Sequence, residues 1–517
     1  MNQISLLPLT NELPSHYATR LSKYYSKNTK QEHKKELGQF FTPIDLSDFI
    51  TSFSKIDKRK VTILDPGCGT CILSCSLIEK LSVSQKLKII ELTTYEIDPK
   101  LNVHTAASLS YLNDWLTKKG LNLKIDHRSV DFINENFSVI DSQKNDRFDI
   151  IISNPPYFKI SKVDERKKLF KTISNGQLNI YAVFASISAN LLNNNGELIF
   201  IIPRSFASGE YFKTFRNIFF SRIQINNIHL FASRKDAFSE DKVLQENIII
   251  KGTRVKKIDV KKKIQVSQSQ GLKDLLVSVK KDFPYSELID FNSEEKFLYL
   301  PNSDEQQRIM KLLKTQTNNL TTLGYKVSTG PIVYFRKKRF LEKDKSDLSV
   351  PLYWLENIKK FSILHPINGN SSKEQFICST AESNSILLNN SNLVLVRRFS
   401  SKDDTSRLVA AAHLKKLLPQ YKKIGIENKL NYIDKIGRKL TVYEAVGISS
   451  LLNSYIYDEY FKTFNGNTQV SASELKKIPF PTNEIIISIG KKVSKLNMKD
   501  PKKINKIVSF ALLEKLN

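Results

Sequence analysis

The chain has 517 residues, enough for two or three domains that each bury a core. Lysine and arginine number 80 against 52 aspartates and glutamates, so the formal net charge is +28, which favours a polyanionic partner but also serves solubility. No apolar run approaches the roughly 18 residues that span a bilayer, and the amino terminus lacks a signal-peptide pattern, so we expect a cytoplasmic protein with no membrane partner.

From about residue 36 to 255, short apolar runs alternate with longer helical patterns. The predicted strands are VTILD (61–65), KIIELTTYE (88–96), LNLKIDH (121–127), FDIIIS (148–153), ELIFIIP (197–203), INNIHLF (225–231) and ENIIIKG (246–252). The predicted helices include CILSCSLIEKL (71–81), NVHTAASLSYLNDWLTKKG (102–120) and NIYAVFASISANLLNNNG (179–196), which ends in an Asn-rich, Gly-terminated stop. This alternation predicts an α/β domain with a mostly parallel sheet covered by helices on both faces.

The alternation of apolar runs and helical patterns ends near residue 252, in the basic run KGTRVKKIDVKKK (251–263). Beyond it the sequence is irregular, polar and rich in aromatic residues. We therefore predict a helical extension over residues 1–36, an α/β domain over 37–255, and a mixed α+β domain over 256–517.

Glycines follow the first predicted strand, in LDPGCGTC (64–71). Gly67 and Gly69 allow a tight turn and a close approach of a ligand to the backbone, although such a turn can also be only a turn. Of the four cysteines, Cys68, Cys71 and Cys75 form no spaced framework, which indicates a reducing compartment. They lack a second Cys pair or a His pair, so we expect no zinc site and no other metal.

Acidic residues follow the next two strands. Glu96, at the end of the second strand, can accept hydrogen bonds from ribose hydroxyls, or it can be simply an exposed acid. Asp131 and Phe132 follow the third strand and could bind an adenine, the carboxylate by accepting from its amine and the ring by packing on its face.

The fourth strand stops at Asn154-Pro155-Pro156-Tyr157. The two prolines fix the backbone angle φ at two consecutive residues. Because proline has no N–H to donate to a neighbouring strand, the segment does not continue the sheet, and the proline carbonyls stay free to accept hydrogen bonds. An amide oxygen and a proline carbonyl can both accept from the exocyclic amine of an extruded adenine or cytosine, and Tyr157 can stack on that base.

This motif, behind Asp65-Pro66-Gly67-Cys68-Gly69 and Glu96, resembles the adenine-N6 DNA methyltransferases of restriction-modification systems, in their gamma-ordered, Eco57I-like family. The resemblance implies a Rossmann-like fold that binds S-adenosyl-L-methionine. GQFFTP (38–43) is similar to the family's amino-terminal cofactor segment, which implies that Thr42 and Pro43 lie near the methionine carboxylate. The other implied cofactor contacts are Asp65, Pro66, Gly67, Gly69, Glu96, Asp131, Phe132 and Asn154.

The resemblance also extends, with gaps, to about residue 482. DAFSEDKVLQENIII (236–250) is similar to the segment that stacks on the other face of the base, which implies this role for Phe238, with Phe231 as the alternative. VSTGPIVYFRKKRF (327–340), GIENKLNYI (425–433) and FNGNTQVSASELKKIPFP (464–481) look like stretches of target-recognition regions. We expect Arg336, Lys337, Lys338 and Arg339 to contact DNA, unless they form only a solvated loop. The chain departs from the family at Cys71, where a third glycine is common, and at Leu73, often Phe.

The implied reaction is a single displacement, in which the adenine N6 amine attacks the sulfonium methyl without a metal or a covalent intermediate. The implied partners are duplex DNA and a separately encoded restriction endonuclease, and the protein is expected to be a monomer. Alternatives are a modification subunit of a multisubunit system, an RNA or protein-glutamine methyltransferase, and a non-catalytic DNA-binding protein. Glu427-Asn428-Lys429 has the acid-x-Lys spacing of nuclease sites, but it lies inside a stretch that matches the recognition region better.

Overall fold

A computed structural model of the protein describes residues 6–140, 147–160, 164, 166, 173, 176, 179–231, 246–367, 373–400, 406–466, 469–496 and 500–513. The chain divides into two compact units, Met1–Tyr299 and Leu300–Asn517. In these described ranges, no helix is both long enough and apolar enough to cross a membrane.

One mixed sheet dominates the first unit. Its strands, among the described residues, are β1 (Lys60–Asp65), β2 (Ile89–Tyr95), β3 (Asn122–Arg128), β4 (Phe148–Ser153), β5 (Leu192–Pro203), β6 (Ile223–Phe231), β7 (Asn247–Arg254), β8 (Lys263–Ser269) and β9 (Val279–Pro284). Their order is β3-β2-β1-β4-β5-β7-β6-β8-β9. The first five strands pair in parallel, whereas β7 runs antiparallel to both of its neighbours. All seven strands predicted from the apolar runs are present.

The helices of this unit, in the part that the structure describes, are α1 (Pro14–Asn28), α2 (Gln31–Leu37), α3 (Ile44–Thr51), α4 (Ile72–Leu81), α5 (Pro99–Thr117), α6 (Phe132–Asn136), α7 (Ile180–Leu191), α8 (Lys213–Arg222) and α9 (Tyr285–Leu288). The strand order reverses at β1, so right-handed crossovers place the helices before and after this point on opposite faces. A crevice at the carboxyl ends of β1 and β4 follows from this switch of direction.

The amino-terminal helices belong to this unit rather than standing apart from it. The Ser15 hydroxyl donates to Glu79 of α4 at 2.8 Å, and the Tyr17 ring packs edge-on against Tyr111 of α5 at 5.2 Å. The Thr70 hydroxyl donates to the Ala18 carbonyl at 2.9 Å. Helix α1 therefore packs on the same helices that follow β1 and β2.

The predicted boundary near residue 255 falls inside the sheet. Strand β8 pairs in parallel with β6, and β9 pairs with β8, so the sheet continues to Pro284 and the division between the units follows Tyr299. The basic run that suggested the boundary lies at the end of β7, in the turn between β7 and β8 and at the start of β8, and further lysines lie on the edge strand β9, where polar residues commonly protect an open ladder.

The second unit is mixed α+β, as predicted. Its described helices are α10 (Asp304–Lys314), α11 (Tyr334–Lys337), α12 (Val442–Asn453), α13 (Tyr455–Phe464), α14 (Ala472–Lys477), α15 (Asn483–Ser494) and α16 (Pro501–Leu513). Its described strands are β10 (Asn318–Asn319), β11 (Tyr325–Thr329), β12 (Leu341–Glu342), β13 (Ser349–Tyr353), β14 (Ile358–Lys359), β15 (Ser362–Ile363), β16 (Phe376–Cys378), β17 (Leu388–Asn389), β18 (Leu393–Arg397), β19 (Ala410–His413), β20 (Lys423–Ile426), β21 (Leu430–Lys435) and β22 (Pro479–Phe480).

Two sheets, β11-β21-β18-β19 and β12-β16-β13-β20-β17, form the centre of this unit. Apolar side chains such as Leu395, Ile424 and Ile426 are fully buried in a core that both sheets share. The turn Glu427–Lys429 connects β20 of one sheet to β21 of the other. It therefore sits where the two sheets meet.

Candidate active site

A cavity of about 420 Å³ lies in the first unit, at the carboxyl ends of β1, β2 and β4. This volume is within the range of small-ligand pockets. The structure brings these predicted site residues together in its wall: Thr42, Asp65, Pro66, Gly67, Gly69, Glu96, Asp131, Phe132, Asn154 and Pro156. Pro43, Pro155 and Tyr157 are adjacent in sequence but do not line the cavity.

The turn after β1 has the left-handed backbone that favours glycine. Gly69 has a φ of 56°, and a Cβ atom added there would lie 3.4 Å from the Phe41 ring. Cys71, at the position where the family commonly has a third glycine, also has a positive φ of 66°. The cysteine therefore tolerates a conformation that costs an L-residue about 1–2 kcal/mol.

Asp65, the last residue of β1, is buried at the floor of the cavity. The Ser74 hydroxyl donates to its Oδ2 at 2.7 Å, whereas no described residue donates to its Oδ1. Burial raises the pKa of this carboxyl to about 7. A buried oxygen without a donor is unfavourable unless a ligand supplies one, so this position fits a polar ligand.

Glu96 connects the end of β2 to the glycine turn. Its Oε2 accepts from the Gly69 amide at 3.1 Å and its Oε1 from the Asp98 amide at 2.8 Å. Burial raises the pKa of Glu96 to about 7. The carboxylate thus fixes the turn and still has lone pairs for ligand hydroxyls.

Asp131 lies in the wall, but its oxygens are already engaged. Oδ1 caps α6 by accepting from the Ile133 amide at 2.7 Å and the Asn134 amide at 3.1 Å, and Oδ2 pairs with Arg166 at 2.8 Å. The neighbouring Phe132 ring packs against Tyr95 and Phe184, each at 5.1 Å between ring centroids. The adenine contact predicted for this pair stays a prediction.

The amide of Asn154, directly after β4, has a fixed orientation. Its Nδ2 donates to the Phe40 carbonyl and to the Thr42 hydroxyl, both at 3.1 Å. Its Oδ1 accepts from the Tyr157 hydroxyl and keeps a second lone pair. The GQFFTP segment therefore holds Asn154 with the amide nitrogen towards Phe40 and Thr42.

Tyr157 was predicted to stack on a base, but its ring is only 6% exposed. Its ring stacks on Phe40, with centroids 5.8 Å apart, and its single hydroxyl hydrogen is shared between Asn154 Oδ1 and the Ile201 carbonyl, the latter at 2.8 Å. The aromatic side chain that lines the cavity beside Pro156 is Phe158, which the sequence reasoning did not single out.

The other predicted stacking residue, Phe238, lies outside the described residues. Phe231, its alternative, packs edge-on against His229 at 4.8 Å and against the core of the sheet, and it does not line the cavity.

A network around Asp98 also escaped the sequence reasoning. This buried carboxylate accepts from the Tyr25 hydroxyl and from the Gln39 amide at 2.8 Å, and its Oδ2 lies 3.0 Å from His33 Nε2. It thereby joins α1, α2 and the GQFFTP segment to the end of β2. Its position two residues after Glu96 was the available signal.

The predicted DNA contacts Arg336, Lys337, Lys338 and Arg339 all lie in the second unit, on α11 and the turn that follows it. Arg336 is exposed beside the Phe335 ring at 5.5 Å, and Arg339 pairs with Glu382 at 2.7 Å. In the described part of the chain, no group of three His, Cys, Asp or Glu side chains could hold a metal ion.

Residues 68–238 match the family described as Eco57I restriction-modification methylase. The chain is 33% identical to type II methyltransferase M.BsuBI of Bacillus subtilis over 90% of this chain and 91% of that protein. It is 28% identical to type II methyltransferase M.PstI of Providencia stuartii over 93% of each chain. Among solved structures, a DrdV–DNA complex has a TM-score of 0.49 at 13% identity, covering 93% of this chain and 59% of that chain. The identity to M.BsuBI over most of both chains, together with the family match, shows that the chain belongs to the Eco57I-like family of type II restriction-modification methyltransferases.

Proposed function

We propose that this protein is a site-specific DNA methyltransferase that transfers a methyl group from S-adenosyl-L-methionine to N6 of an adenine flipped out of duplex DNA. Its physiological role would be to protect host DNA from a cognate restriction endonuclease encoded separately. The family membership supports methylation of DNA, and the geometry around Asn154 favours an amine as the acceptor of the methyl group.

The orientation of Asn154 carries this proposal. Both hydrogens of its Nδ2 are directed at the Phe40 carbonyl and the Thr42 hydroxyl, so the side chain can offer a substrate only its oxygen. The Asn154 oxygen is a hydrogen-bond acceptor, so it can bind the exocyclic amine of a base, which donates. It cannot pair with a base carbonyl, which also accepts. The Pro155 carbonyl, to which no described residue donates, is a second acceptor in the same segment.

The cavity fits S-adenosyl-L-methionine. The unpaired Asp65 Oδ1 needs a donor, Glu96 can accept from ribose hydroxyls, and a side chain at Gly69 would approach Phe41. Thr42 and the Gly67–Gly69 turn would hold the remaining polar groups. When bound, this molecule supplies an electrophilic methyl group on a sulfonium, which needs no activation by a protein nucleophile.

The chain's own contribution is then to hold and polarise the amine. An amine nitrogen conjugated with its ring is a poor nucleophile, and two acceptors at Asn154 and Pro155 would draw its hydrogens out of the ring plane. Such positioning accounts for most of the catalysis expected here.

The experiment is methylation of duplex DNA followed by analysis of the modified nucleosides. We expect N6-methyladenine, mapped to one short sequence by modification-sensitive sequencing. N4-methylcytosine would refute adenine as the target, because cytosine presents a similar amine, and methylation of RNA or glutamine peptides alone would refute DNA as the substrate.

Asn154→Ala should lower turnover by roughly a hundredfold or more, as loss of an electrostatic catalytic group does, while binding of S-adenosyl-L-methionine changes little. Asn122→Ala, at the start of β3, is the matched control because its side chain is exposed and far from the cavity wall. An equal loss of cofactor binding and turnover would contradict the role of Asn154.

A further inference from the structure

A second cavity, of about 510 Å³, lies within the carboxyl-terminal unit. Four aromatic side chains lie in its wall: Tyr334, Phe335, Trp354 and Phe399. The carboxylate among its lining residues is that of Glu427. Trp354 is 3% exposed and packs edge-on against Tyr334 at 5.5 Å between centroids, whereas Tyr334 and Phe335 are 36% and 74% exposed. The exposed rings of Tyr334 and Phe335 therefore offer flat apolar surfaces of the kind on which bases stack.

Glu427 has one oxygen to spare. The side chain is 1% exposed, and its Oε2 accepts from the Lys429 amide at 2.8 Å. Its Oε1 accepts no hydrogen bond from the residues that the structure describes. Because this oxygen is not fully enclosed by protein atoms, it is open to accept from a ligand that enters the cavity.

The turn that carries Glu427 is rigid. The Glu427 amide donates to the Tyr353 carbonyl at 3.0 Å, and the Asn428 amide donates to the Ile332 carbonyl at 2.9 Å. The Arg398 amide donates to the Lys429 carbonyl, also at 2.9 Å. Gly330 packs so closely that a Cβ there would lie 2.3 Å from the Glu427 carbonyl oxygen. The carboxylate is thus held in place before any ligand arrives.

Positive charge surrounds the mouth of this cavity. Lys373, Arg398 and Lys429 are among its lining residues, and the Lys373 ammonium lies 5.1 Å from the Trp354 ring. The Phe335 side chain, also in the wall, is 74% exposed, and the basic residues Arg336–Arg339 follow it directly along the chain. The cations suit phosphate groups, while the carboxylate repels them, so the ligand must present an anionic backbone and a donor edge together.

We propose that this second cavity is a nucleobase-reading site, in which an amine-bearing base of the DNA donates to Glu427 while aromatic side chains pack on the base and lysine and arginine bind the flanking phosphates. This inference rests on the proposed function, because it takes DNA as the substrate. In other DNA complexes, carboxylates accept from the cytosine amine at the edge of the base. Thymine carries only one ring N–H, flanked by two carbonyl oxygens that a carboxylate repels. The acid-x-Lys triplet in GIENKLNYI thus acquires a role in choosing sequence rather than in cutting DNA.

The test compares the DNA sequences that variants select from a randomised duplex library. Glu427→Gln keeps an acceptor for the Lys429 amide and replaces the spare oxygen by an NH₂ donor of the same shape. We expect it to select a motif that differs from the wild-type motif at one base pair, and to bind the wild-type motif roughly tenfold more weakly.

Glu356→Gln is the matched control. Glu356 is exposed and pairs with the same Lys373, yet it does not line the cavity, so it should select the wild-type motif. Phe335→Ala removes a solvent-exposed ring that can be lost without disturbing the core, and it should weaken binding of the wild-type motif even if Glu427→Gln folds poorly.

Identical motifs and affinities for the wild type, Glu427→Gln and Phe335→Ala would overturn the inference, whether or not methylation occurs. Failure of the proposed function would look different: the wild type would select a motif but leave it unmethylated. The two readouts therefore separate the base-reading site from the chemistry in the first unit.

Discussion

Gly38 offers a sharp test of how the GQFFTP segment shapes the active-site cavity. This residue ends α2 with a φ of 63°, and the Gln39 amide then donates to the Lys34 carbonyl at 2.9 Å. A Cβ added at Gly38 would lie 2.7 Å from the Phe158 ring and 3.1 Å from the Pro156 side chain. Gly38→Ala therefore strains the backbone and also produces steric clashes with Phe158 and Pro156 in the cavity wall.

The variant Gly120→Ala separates the cost of backbone strain from the cost of the steric clash. Gly120 has a similar φ of 70°, but no heavy atom lies within 4 Å of its added Cβ. Gly120→Ala should therefore lower the free energy of unfolding by about 1–2 kcal/mol, the cost of the left-handed conformation alone. Gly38→Ala should lose a further 1–3 kcal/mol, roughly the cost of overpacking.

Urea unfolding of both variants, at a fixed pH and without ligand, measures the difference. Turnover of Gly38→Ala should also fall roughly tenfold, because relieving the contact by moving Pro156 displaces the segment that holds Asn154. Gly120→Ala should keep wild-type turnover. Equal destabilisation of the two variants, with unchanged turnover in both, would refute the packing of Gly38 against the segment after β4.

Three further predictions concern the same protein. Thr42→Val removes an acceptor for Asn154 Nδ2 without changing the shape of the side chain, so it should lower turnover roughly tenfold. Thr117→Val, on the exposed side of α5, is the control and should keep wild-type turnover. Equal turnover of the two variants would contradict the role of Thr42 in orienting Asn154. Glu96 has a folded pKa of about 7, above its unfolded value, so its ionisation should lower the free energy of unfolding without ligand by about 3 kcal/mol as pH rises from about 4.5 to 7. Asp65, whose pKa is also about 7, should lower it over the same range, so Glu96→Gln should remove only the contribution of Glu96, and a wild-type-to-variant difference independent of pH would contradict this. DNA affinity should decrease steeply with salt, with a slope about one unit shallower in Arg336→Ala, whereas an affinity insensitive to salt would rule out phosphate neutralisation.

Seven of the nine described strands of the first sheet were predictable because each is a short run of apolar residues followed by a turn. Their order places Asp65, Glu96 and Asn154 at one edge, and the structure confirms that they share one cavity. The position of these residues in the sequence predicts that they lie together, because parallel strands bring their carboxyl ends to the same edge of the sheet regardless of side-chain detail.

Side-chain direction was not predictable in the same way. The Tyr157 ring could point to either side of the Pro155–Pro156 turn, and only packing against Phe40 decides that it turns inward. Asp131 had a readable signal, since Asp before a short helix commonly caps it, but its pairing with Arg166 depends on residues far apart in the chain. Strands β8 and β9 were missed because the basic run before them indicated the end of the α/β domain.

The continuation of the first sheet to Pro284 has a practical consequence for exchanging the second unit between related chains. A junction near residue 255 would remove β8 from β6 and leave an unpaired strand edge, which invites aggregation. A junction after Tyr299 leaves that sheet whole. If the second unit reads DNA as proposed, chimeras joined there should keep methyl-transfer activity and acquire the donor's choice of DNA sequence.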